Sequence, residues 1–314
     1  MQDFNAIQFL ISFLSPEHFL KYLLLNLCPS IRRCTLPSES LSSIISLPEF
    51  EDTLILQQIL ILIYNGLKEM RMFGDLQDPD SYFIERQRIH IQACGYESDA
   101  EYLRTVMQSD RSSMKKSKCY SNEILLKKMI FHIPYCSKPP PTMEPCRVSP
   151  KDFDPGCPFY YLNTLEDGQR AFQNLLGLYK NRVPDLVLPD VIALRKEFKG
   201  IDAFMFSETF LDFLMECFVK WYRKPELWKR DSPDLILFIL LILCLILRVS
   251  KDRSICDSYR KRMFDFFGPC PKLENRSLLD ITKELPNCRN PLVAAMIKRV
   301  ISLSHLGRRN TPNQ

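Results

Sequence analysis

The stretch Leu235–Leu247, LILFILLILCLIL, holds thirteen consecutive residues without a charge and constrains the fold more than any other segment. A helix rises about 1.5 Å per residue, so these thirteen residues reach roughly 20 Å, against about 30 Å of bilayer hydrocarbon. The flanks cannot extend it, because Asp231 and Asp234 close one end and Arg248, Lys251, Asp252 and Arg253 the other. Those flanks read as helix ends. Ser232 suits a cap, Pro233 the first helical position, Asp234 the positive N-terminus and Arg248 the C-terminus. A helix that is apolar on every side belongs inside a large helical domain. The expectation is a soluble, mainly α chain with no membrane partner.

Composition agrees, with 46% hydrophobic and 25% charged residues, ordinary for a globular protein. Only 9 glycines disfavour phosphate-cradling loops and tight-turn β architectures. A net charge of +5 is mild for this length and does not by itself imply nucleic acid. The N-terminus, MQDFNAIQFL, has no basic region ahead of its apolar residues and does not read as a signal peptide. Twelve cysteines invite a metal or disulfide reading, yet no two lie two to four residues apart, the usual zinc-ligand spacing. The nearest cluster, His132, Cys136, Cys146 and Cys157, is spaced too widely for a recognised site. Reduced intracellular thiols, buried as small hydrophobes, account for them better.

Three regions separate along the chain: residues 1–74, 84–150 and 155–310. In the first, Ser15-Pro16-Glu17 opens a helix carrying FLKYLLLNL to Cys28. After a Ser-rich loop, a helix of some six turns begins near Pro48. Its Leu54, Leu56, Ile59, Ile61, Ile63 and Leu67 spread around much of the circumference, so neighbours must cover it. In the second region, ERQRIHIQACG, SDAEYLRTVMQS and SNEILLKKMIFHI have helical spacing, with a capping box at Ser98 and Glu101. The proline-rich SKPPPTMEPCRVSP follows, with room for a short hairpin. Three short helices and a hairpin outline a winged helix. In the third region, LVLPDVIALRKEF, SETFLDFLMECFVKWYRK, the apolar helix, DSYRKRMFDFFG, NRSLLDITKELP and NPLVAAMIKRVISLSHL follow as helical elements. Ser207 and Ser277 suit helix starts, Pro286 a stop and Pro291 the next start. No stretch alternates convincingly with period two. The fold expected is an extended helical scaffold with a small winged-helix-like domain.

The winged-helix outline raises a nucleic-acid reading. Six bases, Arg111, Lys115, Lys116, Lys118, Lys127 and Lys128, outnumber Asp110 and Glu123 between residues 107 and 128. One loop is a poor electrostatic footprint, however, and its basic stretch RSSMKKSK offers no aromatic to stack a base. A solvated loop is the favoured reading, with nucleic acid not expected as a partner.

The run CRVSPKDFDPGCPFYYLNTLEDGQRAFQNLLGLYKNRVPDLVLP resembles a segment from the middle of the large UBR-box E3 ubiquitin ligases, the N-recognins. Val148, Pro150, Phe153, Phe159, Tyr160, Tyr161, Ala171, Leu188 and Pro189 carry the match. The resemblance continues in order. MFSETFLDFLMECFVKWYRKPELWKRDSPDLILFILLILCLIL is similar to a family helix ending before a tryptophan, here Trp228, and then a second apolar helix. RSLLDITKELPNCRNPLVAAMIKRVISL is similar to a later stretch with a closing helix. In all, residues 50 to 305 are covered by the order of apolar, aromatic and proline residues.

This resemblance implies the connecting scaffold of a RING-type E3 ubiquitin transferase of the N-degron pathway, cytoplasmic or nuclear. Its partners would be a ubiquitin-conjugating enzyme and N-degron substrates, engaged through the whole ligase. Family members carry zinc in a UBR box and a RING; this chain is expected to start after the first and stop before the second. With no CxxC and only 4 histidines, it holds no such module, so no catalytic, cofactor-binding or metal residue is carried over. Two other classes stand beside it: a helical interaction scaffold without a ubiquitin role, and a winged-helix nucleic-acid binder.

Overall fold

The computed structural model describes residues 4–28, 40–51, 53–68, 70, 73–79, 82, 191–224, 235–252, 255–284 and 291–306. The chain divides into two units, one of residues 1–4, 70–72 and 76–189 and the other of residues 5–69, 73–75 and 190–314. Nearly all described residues belong to the second unit, called the frame below. The winged-helix reading of 84–150, the matching aromatics Phe159, Tyr160 and Tyr161, the cap at Ser232 and Trp228 all lie outside the described residues.

The frame is mainly helical. Among the described residues it contains α1 (Phe4–Phe13), α2 (Pro16–Leu27), α3 (Leu41–Ile45), α4 (Thr53–Lys68), α5 (Gly200–Met205) and α6 (Glu208–Tyr222). Then come α7 (Leu235–Asp252), α8 (Asp257–Phe266), α9 (Leu278–Glu284) and α10 (Pro291–Leu306). Helices from both ends of the chain therefore build one core, which composition alone placed in separate regions.

The centre of that core is α7. Every residue from Leu235 to Leu247 is buried, as the all-apolar pattern requires. Its neighbours are α10, α4 and α6. No described helix is long and apolar enough to cross a membrane. Arg248 does not end the helix, which runs on through Lys251 to Asp252. The charges limit the apolar surface and not the helix, because Lys and Arg are good helix formers.

Other helix starts follow local chemistry. Ser15 caps α2 by accepting from the His18 N–H at 3.3 Å, with Pro16 in the first turn and Glu17 paired to Lys21 at 2.8 Å. Ser207 caps α6 through the Phe210 N–H at 3.1 Å, and Ser277 accepts from the Asp280 N–H at 3.0 Å. The Ser-rich stretch is itself partly helical: Ser40 caps α3 by accepting from the Ser43 N–H at 3.2 Å. Beyond it, Pro48–Phe50 forms a 3-10 turn and α4 has 16 residues, fewer than the six turns expected. Leu56, Ile59, Ile63 and Leu67 are buried on α4, whereas Leu54 is 58% exposed. The expectation that neighbours cover the whole helix fails at its first turn, where Leu54 faces outward.

Two glycines set how closely helices meet. A Cβ at Gly66 would stand 3.2 Å from Ile7 Cγ2, so α1 packs directly on the backbone of α4. Gln8, fully buried, donates from Nε2 to the Gly66 carbonyl at 3.0 Å and fixes that contact. At Gly200 a Cβ would lie 2.0 Å from the Ser12 carbonyl oxygen, closer than atoms can come.

LVLPDVIALRKEF corrects the helical reading. Residues 191–195 are not helical, and Gly74 forms an antiparallel bridge with Leu194 before a 3-10 turn at Lys196–Phe198. The β-branched pair Val191-Ile192 lowers the helix propensity of this stretch. A hairpin also escaped the period-two search. Strands β1 (Pro269–Cys270) and β2 (Arg276–Ser277) pair antiparallel around a 3-10 turn, with Glu274 and Asn275 left-handed at φ 58° and 60°. Strands of two residues are too short to show alternation.

Candidate functional site

The richest arrangement of charged side chains lies along α6. Glu208, Asp212, Glu216 and Lys220 recur every four residues and so share one face of the helix, with Lys224 just beyond its end. Lys220 Nζ meets Glu51 Oε1 at 2.9 Å, and Lys224 Nζ lies 3.7 Å from Glu51 Oε2. Lys224 also donates to the Glu51 carbonyl. One turn earlier in the row, Glu216 pairs with Lys272 of the hairpin turn. The row thus ties α6 to the approach to α4 and to the β1–β2 turn. Three of its members, Glu216, Lys220 and Lys224, are paired with residues of other elements, which suits a structural strap.

Its electrostatics agree. The Lys220 ammonium hydrogen-bonds Glu51 and holds its carboxyl below the usual range, while Glu216 raises Lys272. Asp212 is the exception: loss of surrounding water pushes it up, Lys272 opposes this, and Glu208 and Glu216 add repulsion. A carboxyl whose folded pKa is raised loses stability as pH climbs from its unfolded value, about 3.9, through the folded one. Asp212→Asn should therefore raise the melting temperature slightly at neutral pH. The gain should vanish below about pH 3.9, where the native carboxyl is already protonated in both states. Melts of both proteins at neutral and acid pH check this, and an equal gain at both would assign it to something other than charge. The effect is small because the side chain stays exposed.

No activated nucleophile emerges among the described residues. Cys217 and Cys244 are buried, and burial pushes both thiols up, that of Cys244 to about 12. Cys256 is exposed just before α8, and the Ser258 hydroxyl at 3.0 Å lowers its thiol. Ser15 Oγ and His18 Nδ1 are 2.6 Å apart, the spacing of a nucleophile and its base. Here, though, the hydroxyl already accepts the His18 backbone N–H as a cap, on an exposed turn. The contact belongs to the helix start. Among the described residues no three His, Cys, Asp or Glu side chains converge as metal ligands. The bases Arg111–Lys128 and the cluster of His132, Cys136, Cys146 and Cys157 lie outside the described residues.

The sequence reading named no site residue, and it missed the α6 row. Its four-residue spacing was visible in ETFLDFLMECFVK, but the partners Glu51 and Lys272 are distant in sequence. Comparison with protein-family models, curated proteins and solved structures finds no match for this chain.

Proposed function

We propose that this chain is the helical scaffold segment of an N-recognin-type RING E3 ubiquitin-protein ligase acting in N-degron-dependent degradation. In this reading residues 84–150 form the winged-helix-like domain of an extended scaffold. Zinc belongs to UBR-box and RING modules elsewhere in the ligase, and the work is done in the cytoplasm. The observation that carries the proposal is the ordered resemblance from residue 50 to residue 305. A frame whose central helix is buried from Leu235 to Leu247 suits such a role. A RING brings a conjugating enzyme to a substrate lysine, so holding the two at fixed separation contributes directly to rate.

Ubiquitin-chain assembly tests it. The product of the whole gene, supplied with activating and conjugating enzymes, should ubiquitinate itself in a zinc-dependent manner. Residues 1–314 alone should build no chains, because the sequence holds neither a CxxC pair nor enough histidines for a RING. If the whole gene product is inert with every conjugating enzyme, an interaction scaffold without a ubiquitin role becomes the better reading.

A further inference from the structure

The chain leaves the frame after Asp75 and returns at Asp190, and both passages run through one place. Phe73–Asp75 lies antiparallel to Ala193–Arg195. The Asp75 N–H donates to the Ala193 carbonyl at 2.7 Å and the Arg195 N–H to the Phe73 carbonyl at 2.9 Å, on either side of the Gly74–Leu194 bridge. Beneath this stem the buried Phe73 ring meets buried Phe198 at 6.4 Å.

On either side of the excursion the helices complete each other. α4 packs on α7, α2 and α3 pack on α6, and Phe19 of α2 meets Phe204 of α5 edge-on at 5.2 Å. The backbone of α1 touches α5 at Ser12 and Gly200, and Glu51 binds Lys220. Leu56, Ile59 and Ile63 of α4, and much of α7, would face water if either half stood alone. Exposing such surface costs about 25 cal/mol per Å², so each half has a strong reason to find the other.

We infer that residues 5–75 and 190–306 are complementary halves of one fold that hold each other without the covalent link through residues 76–189. The link then acts as a tether. It keeps the two halves of the frame in one molecule, and the binding surface between them supplies the rest. A break in the excursion leaves the frame assembled, and its stability becomes dependent on concentration. This inference is independent of the ubiquitin reading.

The test expresses the whole chain as two polypeptides, 1–117 carrying an affinity tag and 118–314. They should co-purify one to one, and the pair should melt at a temperature that rises with protein concentration. Amide exchange at Asp75 and Arg195 should remain protected in the pair. Leu241→Asp in the second polypeptide should abolish co-purification, whereas Leu126→Asp, within the excursion, should leave it intact. Failure of the unmodified halves to co-purify overturns the inference. So does a pair that survives Leu241→Asp but is lost with Leu126→Asp, since the excursion would then be what joins them.

Discussion

Leu241→Asp should strongly destabilise the frame. Leu241 is 2% exposed, near the middle of a helix buried on every side, with α10, α4 and α6 around it. An aspartate there either keeps its charge without water or takes up a proton and leaves a buried polar group. Either route costs several kcal/mol, and the lost aliphatic packing adds to it. A loss of about 4 kcal/mol approaches the whole stability of an ordinary domain. For a domain near this size it lowers the melting temperature by about 8–16 °C. Leu54→Asp, at the open first turn of α4, should change stability by no more than about 0.5 kcal/mol. Thermal melts of the pair make the comparison internal. If Leu241→Asp melts within a degree or two of the parent, α7 is not the centre of the core.

The second large effect comes from adding one methyl group. Gly200→Ala places a Cβ 2.0 Å from the Ser12 carbonyl oxygen, a backbone atom that no rotamer change can move aside. α1 and the start of α5 must separate. The adjoining contacts of Phe198 with Phe9 at 5.7 Å and Phe13 at 6.4 Å would loosen with them. Overpacking of this kind costs about 1–3 kcal/mol, and this position belongs at the upper end. Gly268→Ala is the control. Its Cβ would lie 3.0 Å from the Asp265 carbonyl oxygen, a contact a few tenths of an ångström of adjustment relieves. Denaturant melts should show a clear loss for Gly200→Ala and a much smaller one for Gly268→Ala. Equal losses would mean that the α1–α5 contact yields easily.

What the sequence revealed was whatever a local pattern can encode. The thirteen-residue apolar run announced a buried helix because burial on all sides leaves no room for a polar face. Ser15, Ser207 and Ser277 announced their helices because a cap is a contact within three residues. The α3 turn hid in a serine-rich stretch that reads equally well as loop. The stem at Gly74 and Leu194 had no local signature, since its strand partner is more than a hundred residues away. Gly200 illustrates the same limit. Its lack of a side chain is explained only by Ser12, and nothing near it in sequence predicts that neighbour. The charged row on α6 was half legible: spacing gave the face, and folding gave the partners.

The burial of the thiols sets how the frame meets oxidants. Disulfide exchange and alkylation both proceed through the thiolate, and require a reagent to reach sulfur. Cys28, Cys217 and Cys244 offer no access, and the last two resist ionisation besides. Cys256 is open to water and more readily ionised. Among the described cysteines it is therefore the natural point for attaching a spectroscopic label, at the start of α8 and outside the buried run of the central helix.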